Sequence, residues 1–220
     1  MNKEKLEVQS EELEQELNKL AAILSEDRRQ IAHTIEKAID AHLHDLQMPH
    51  AKFEVAIESL ETFNSQGKDS VEFLIRTNLG DDLHPLSKIA SGGEISRVML
   101  AIKTVLFLGD TINTVIFDEI DTGISGLAAQ KVAEKLALIA KDRQVLCITH
   151  LPQIAAMGDA HYLIEKWATD NKTTTYLKSL ELPAIHEELC RLMGGIISES
   201  TLQSAAELKN RAVDYKNQLA

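Results

Sequence analysis

Three short segments carry residue types suited to phosphate chemistry. The first is Ser91-Gly92-Gly93-Glu94, running into Ile95-Ser96-Arg97-Val98-Met99-Leu100-Ala101-Ile102-Lys103. A Ser-Gly-Gly turn that opens a helix presents unpaired N–H groups and the positive end of the helix dipole. Glycines let the backbone approach a ligand closely, so such a turn is a ready phosphate site. The same residues also read as an ordinary capping box, with Ser91 as N-cap and Glu94 three residues on.

The second segment is Thr114-Val115-Ile116-Phe117-Asp118-Glu119, an apolar strand ending in two carboxylates. Ligands of open α/β sheets bind beyond the C-terminal ends of strands. Asp118 is placed to hold Mg²⁺, because hard cations prefer oxygen ligands. Glu119 is placed to polarise an attacking water. Paired acids at a strand end are also found as plain loop residues. Ile120-Asp121-Thr122-Gly123-Ile124-Ser125-Gly126 follows, with Ser125 as the N-cap of the next helix and Asp121 as a third acid. Acids this close repel unless a cation or donor groups offset the charge. The third segment, Val145-Leu146-Cys147-Ile148-Thr149-His150, is another buried strand ending in a polar residue. His150 is suited to donating to a phosphate or orienting water, although a histidine at a strand end is more often structural or solvated.

Strands and helices must alternate to bring these segments together. The pattern predicts a helix from Gly93 to about Leu108, a strand Thr114–Phe117, a helix Leu127–Ala140 and a strand Gln144–Thr149, hence a mainly parallel sheet covered by helices. Tyr162–Glu165 and Thr173–Leu180 read as further strands, and helices near Ala184–Met193 and Glu199–Gln218 close the chain. Upstream, Phe53–Ile57 and Val71–Thr77 flank a turn-rich stretch and read as a hairpin. Asn78 to Pro85 reads as a loop.

Residues 3–47 are of another kind. They contain no Gly or Pro, and Leu6, Leu13, Leu17, Leu20, Leu24, Ile31, Ile35, Ile39, Leu43 and Leu46 recur at helical spacing. The early steps make a coiled-coil seam, and after Ile31 the stripe shifts register. Such a seam needs a partner strand; a helix folded back on its own domain is the simpler alternative. Met48-Pro49 ends the helix. The expected domains are a coiled-coil arm over 1–47 and an α/β head segment over 48–220.

Bulk properties narrow the function. Of the 220 residues 44% are hydrophobic but only 4% aromatic, so the core rests on Leu, Ile, Val and Ala. A net charge of -11 argues against an intrinsic polyanion binder. Lys88, Arg97 and Lys103 are the nearest approach to a basic cluster. Cys147 and Cys190 are isolated, as in a reduced, cytoplasmic setting. No signal peptide and no bilayer-spanning run is recognisable, so no membrane role is expected.

In this order the three segments resemble the second half of an ABC-type ATPase head: signature motif, Walker B strand with its glutamate, D-loop and switch histidine. Lys88-Ile89-Ala90-Ser91-Gly92-Gly93-Glu94, Phe117-Asp118-Glu119-Ile120-Asp121-Thr122-Gly123-Ile124-Ser125-Gly126 and Thr149-His150-Leu151-Pro152-Gln153 are similar, more narrowly, to the SMC-like members that act in DNA repair. Met48-Pro49-His50-Ala51-Lys52-Phe53 and Leu192-Met193-Gly194-Gly195 fit the same group, so the resemblance runs nearly the whole chain. It implies a C-terminal lobe of an ABC-type head, preceded by the returning arm of an antiparallel coiled coil. One part is missing: none of the ten glycines starts Gly-x-x-x-x-Gly-Lys-Ser/Thr, the phosphate cradle. Met1 opening in mid-coil implies a piece of a longer protein.

The resemblance further implies ATP and Mg²⁺ as ligands. Ser91, Gly92 and Gly93 would bind the γ-phosphate of ATP held by an opposite head. Asp118 would serve Mg²⁺, Glu119 would be the general base, His150 would contact the γ-phosphate, and Asp121 would bind at the nucleotide and couple the two sites. The implied partners are the N-terminal half of the same head, a second head as homodimer, and DNA through the full-length assembly in a nucleoid-associated, cytoplasmic setting. The segment alone is expected to hydrolyse no ATP and to bind DNA weakly. The rival reading is a non-catalytic coiled-coil scaffold with a degenerate head. A transporter nucleotide-binding domain is disfavoured by the heptad arm directly upstream.

Overall fold

A computed structural model of the chain describes residues 3–88, 91–106, 112–169 and 172–219. Ile89, Ala90 and the expected helix end at Leu108 lie outside the described residues. Backbone contacts divide the chain into two compact units, Met1–His44 with Met48–Ile89, and Asp45–Gln47 with Ala90–Ala220.

In the first unit helix α1 spans Lys3–Asp45. It ends where Gln47 takes a left-handed φ of 60°, and the Met48 N–H donates back to the Leu43 carbonyl at 3.0 Å. That bond satisfies a carbonyl the helix leaves orphaned. Strands β1 (Lys52–Asn64) and β2 (Gly67–Arg76) form the expected antiparallel hairpin, longer than its alternating core predicts. A two-residue strand β3, His84–Pro85, pairs with β2 inside the stretch expected to be loop. A 3₁₀ turn, Leu86–Lys88, follows.

The apolar seam of α1 does not run as one stripe. Leu6, Leu13, Leu17, Leu20 and Ile31 are exposed, at 45 to 58%. The buried positions are Ala21, Ser25 and Ala32, each one residue past a seam position, and then Ile39 and Leu43 of the seam itself. Polar bonds select that face. Ser25 Oγ donates to both Asp69 oxygens at 2.7 and 2.9 Å, and Arg28 Nη1 donates to Asp69 Oδ2 at 2.8 Å. Further on, Glu36 accepts from Val55 N and Asp40 from Phe53 N, both at 2.9 Å. The second half of the helix therefore does fold back, through these polar bonds and the buried Ile39 and Leu43, while the leucine seam of the first half stays uncovered.

The second unit holds helix α2 (Gly92–Val105), strand β4 (Thr114–Phe117), helix α3 (Gly126–Ala140), strand β5 (Gln144–Cys147), helix α4 (Pro152–Met157), the hairpin β6 (His161–Thr169) and β7 (Lys172–Leu180), and helices α5 (Ala184–Leu192) and α6 (Glu199–Leu219). β4 and β5 are parallel and in register from Thr114 opposite Gln144 to Phe117 opposite Cys147. β6 and β7 are antiparallel. Val98, Leu100, Ala101, Ala129, Val132, Ala133 and Leu189 are among the residues that make the core. One face of the parallel pair is bare: Ile116 is 66% exposed, Leu146 44% and Ile148 51%. Parallel sheets are normally covered on both faces. No helix among the described residues is long and apolar enough to cross a membrane.

Candidate functional site

The N-terminus of α2 and the ends of β4 and β5 converge. Ser91 caps α2, its Oγ accepting from Glu94 N at 3.4 Å, so the capping-box reading holds for the Ser91 side. Gly93 is buried against the loop after β4. A Cβ built there would lie 2.9 Å from Thr122 Cβ and 3.0 Å from the Thr122 carbonyl. Only a residue without a side chain allows that approach. Gly93→Ala is expected to force the loop away at a cost of about 1–3 kcal/mol from overpacking; a lowered melting temperature of the chain measures it.

Two α2 side chains fasten the same loop. Ser96 Oγ donates to the Asp118 carbonyl and Arg97 Nη1 to the Thr122 carbonyl, each at 2.8 Å. Arg97 is 8% exposed, and burial lowers its pKa from the usual value while Glu94 opposes that. It is therefore not available to a surface basic cluster, contrary to the grouping with Lys88 and Lys103. Its structural role had one visible signal, an arginine directly before the apolar run Val98–Ile102.

Asp118 is exposed at the end of β4, and its Oδ1 accepts from Glu119 N at 2.9 Å. Glu119 itself sits at a left-handed φ of 56°, a conformation that costs a non-glycine residue about 1 kcal/mol or more. Its carboxylate lies on the Ser91–Gly93 turn: a Cβ at Gly92 would fall 2.1 Å from Glu119 Oε2. The loop then closes through Thr122 N to the Glu119 carbonyl at 3.1 Å. Ser125 stands at the N-cap of α3, but its side chain makes no cap bond, against expectation.

β5 ends at Cys147, two residues before the predicted limit. Ile148 N still reaches the Phe117 carbonyl at 3.0 Å. Thr149 and His150 turn instead to Asp121, whose Oδ2 accepts from Thr149 Oγ1 at 2.6 Å and His150 N at 2.8 Å. His150 Nδ1 is 3.0 Å from the same oxygen. Asp121 is buried, whereas the His150 side chain is 71% exposed. Thr149 Oγ1 accepts in turn from Leu151 N at 3.0 Å, at the start of α4. The far end of α4 is held by Lys209, which donates to the Ala156 and Gly158 carbonyls at 3.0 and 2.6 Å, and by Lys216, which donates to the Met157 carbonyl at 3.0 Å. Cations suit a helix C-terminus. Burial, then the nearby Lys216 charge, push the Lys209 pKa down to about 8.

Cys147 lies behind this cluster. Burial, then the charges of Asp121 and Asp118, push its thiol up to about 12. Thiols react as thiolates. Iodoacetamide at pH 8 is therefore expected to leave Cys147, and the fully buried Cys190, unlabelled in the native chain and to label both after denaturation; mass spectrometry reads the outcome.

Among the described residues no group of three His, Cys, Asp or Glu side chains is arranged to hold a metal ion. A single exposed carboxylate such as Asp118 still fits Mg²⁺, which takes one or two carboxylates with phosphates and water completing its shell. All seven expected site residues lie in the second unit.

Comparison with known proteins places the chain. The DNA repair protein RecN of Halalkalibacterium halodurans is 41% identical over 216 residues, covering 96% of this chain and 38% of that relative. RecN of Deinococcus radiodurans is 41% identical over 203 residues, covering 92% of this chain and 36% of the relative. RecN of Bacillus subtilis is 48% identical over 152 residues, covering 69% and 26%. The chain belongs to the RecN family. It corresponds to the C-terminal part of those proteins and spans little more than a third of the length of the first two. No protein-family model matches it. The fold is that of an SMC head. An Smc head domain with a coiled coil and joint from Pyrococcus yayanosii superposes with a TM-score of 0.57 at 20% identity, covering 86% of this chain and 35% of that one. A second, from Pyrococcus furiosus and bound to the C-terminal domain of ScpA, gives 0.51 at 21%, covering 86% and 45%.

Proposed function

We propose that the chain is the C-terminal, water-activating half of an ATP-hydrolysing head in DNA double-strand-break repair. The convergence of the Ser91–Gly93 turn, Asp118, Glu119 and the Asp121–His150 pair in one unit carries this reading. Asp118 would hold Mg²⁺, which offsets charge on the phosphates. Glu119 would accept the proton of the attacking water from a position one residue beyond it. His150 would contact the γ-phosphate of the same nucleotide. Ser91, Gly92 and Gly93, with the dipole of α2, would meet the γ-phosphate of ATP held by a second head. Catalysis of this kind is positioning and charge stabilisation.

The chain needs two partners for this. The bare Ile116, Leu146 and Ile148 face matches a lobe that the N-terminal half of the same head covers, bringing the phosphate cradle with it. A second copy of the head completes the ATP sandwich. The exposed leucines of α1 suit a coiled-coil partner strand, and DNA is engaged through the whole assembly in the cytoplasm, at the nucleoid. The test is reconstitution. The chain alone is expected to hydrolyse no ATP, and adding the N-terminal half of a RecN protein to restore hydrolysis and ATP-dependent pairing of heads by light scattering. Hydrolysis by the chain alone, or none after addition, overturns the reading.

A further inference from the structure

The Asp121 carboxylate does not face open space. Its side chain is 4% exposed, and one of its oxygens meets three groups of the next strand's end: the Thr149 hydroxyl at 2.6 Å, the His150 amide at 2.8 Å and His150 Nδ1 at 3.0 Å. Its own place is secured on both sides. Ile120, immediately before, is fully buried. The Thr122 carbonyl, immediately after, is held by the buried Arg97. Ile124 N also donates to the Asp121 carbonyl at 3.4 Å.

We propose that Asp121 is the positioning residue of His150: its buried oxygen bonds the Thr149 hydroxyl and the His150 amide and draws ring Nδ1 toward its charge, so that His150 presents Nε2 beyond the end of β5. The physical argument is short. The ring Nδ1 stands at ion-pair distance, 3.0 Å, from that anionic oxygen, and a hydrogen on the nitrogen that faces an anion is favoured over a lone pair there. Nδ1 is thereby committed, and Nε2 is the nitrogen left to meet a ligand. A histidine side chain 71% exposed on a loop has no packing to select its rotamer; here the amide is bonded to the same anionic oxygen that the ring faces. Asp121 thus acts through His150 rather than by touching nucleotide. It also joins the end of β5 to the loop that α2 fastens, because Arg97 and Asp121 hold adjacent stretches of that loop. The functional part of this inference rests on His150 meeting phosphate; the ring geometry does not.

The experiment separates the two. Long-range ¹H–¹⁵N spectra of the ¹⁵N-histidine-labelled chain, taken above the pH at which the ring signals stop moving, show which nitrogen of His150 carries the hydrogen. The signal is assigned by its loss in His150→Gln. Nδ1–H is expected, with that preference lost in Asp121→Asn. Wild-type His150 protonated on Nε2 alone, or averaging as a free ring does, overturns the proposal even where Asp121→Asn fails to fold. In the reconstituted head, Asp121→Asn is expected to lower kcat about 10²-fold, the scale of a misplaced catalytic group, with KM for ATP little changed. Adding His150→Ala to it is expected to cost no more than His150→Ala alone. Additive losses overturn the positioning role. A wild-type head that hydrolyses no ATP sinks the ATPase reading and leaves the ring spectrum to decide the rest.

Discussion

Replacing Glu119 by glutamine is expected to lower ATP hydrolysis by the reconstituted head about 10²- to 10⁴-fold, the usual contribution of a general base. Glutamine keeps the shape and removes the basic oxygen. Glu119 is exposed, and it is held through the backbone: its N–H goes to Asp118 Oδ1, and its carbonyl accepts from Thr122 N. The substitution should therefore leave the melting temperature of the chain within the range of surface changes, about 0.5 kcal/mol either way. Nucleotide-dependent pairing of heads should survive, because the turn proposed to meet the opposite nucleotide keeps its sequence. Undiminished hydrolysis in Glu119→Gln would remove the catalytic assignment. The carboxylate now rests against Gly92, so it must leave that turn to meet water at its own site. Gly92→Ala, which crowds only a flexible carboxylate, should displace it at little cost in stability.

Asp69→Ala is expected to destabilise the first unit by about 3 kcal/mol, the low end for breaking a buried pair, because Arg28 is 26% exposed and recovers some solvation. Asp69 has a side chain 2% exposed and accepts from Ser25 Oγ and Arg28 Nη1. The Arg28 bond first, and the Ser25 bond next, hold its carboxyl below the usual 3.8. A carboxyl with a depressed folded value adds stability that is complete above the unfolded value and is lost as pH falls through the folded one. Wild-type chain should thus lose this contribution only below about pH 4, and Asp69→Ala should lack it at neutral pH. Urea unfolding at pH 7 and near pH 3 measures both. A variant as stable as wild type at pH 7 would show that the hairpin does not need this anchor.

The β4 boundaries were legible because Thr114–Phe117 is an apolar run ending in acids. The start of α2 was legible because a Ser-Gly-Gly turn with Glu94 announces a cap. α4 was not anticipated: six residues give no periodicity, and only Pro152 at its first turn signals it. The buried face of α1 was hidden for a different reason. Up to residue 32 it is built from Ala21, Ser25 and Ala32, small or polar residues that hydropathy ranks below the leucines beside them, and only Ile39 and Leu43 belong to the expected stripe. The worth of Ser25 depends on Asp69, 44 positions away.

The chain's own residues, in order, determined which functional groups are on offer: a glycine turn suited to phosphate, an acid suited to a hard cation, a second acid suited to water and a histidine after the next strand. Those assignments follow from functional groups and local backbone preference, which neighbouring residues encode. Only the tertiary structure decided who holds whom. It placed Glu119 on Gly92, Arg97 on the Thr122 carbonyl and Asp121 on His150, 29 positions away. Such contacts depend on how parallel strands and the α2 helix pack, and burial gives each hydrogen bond its weight.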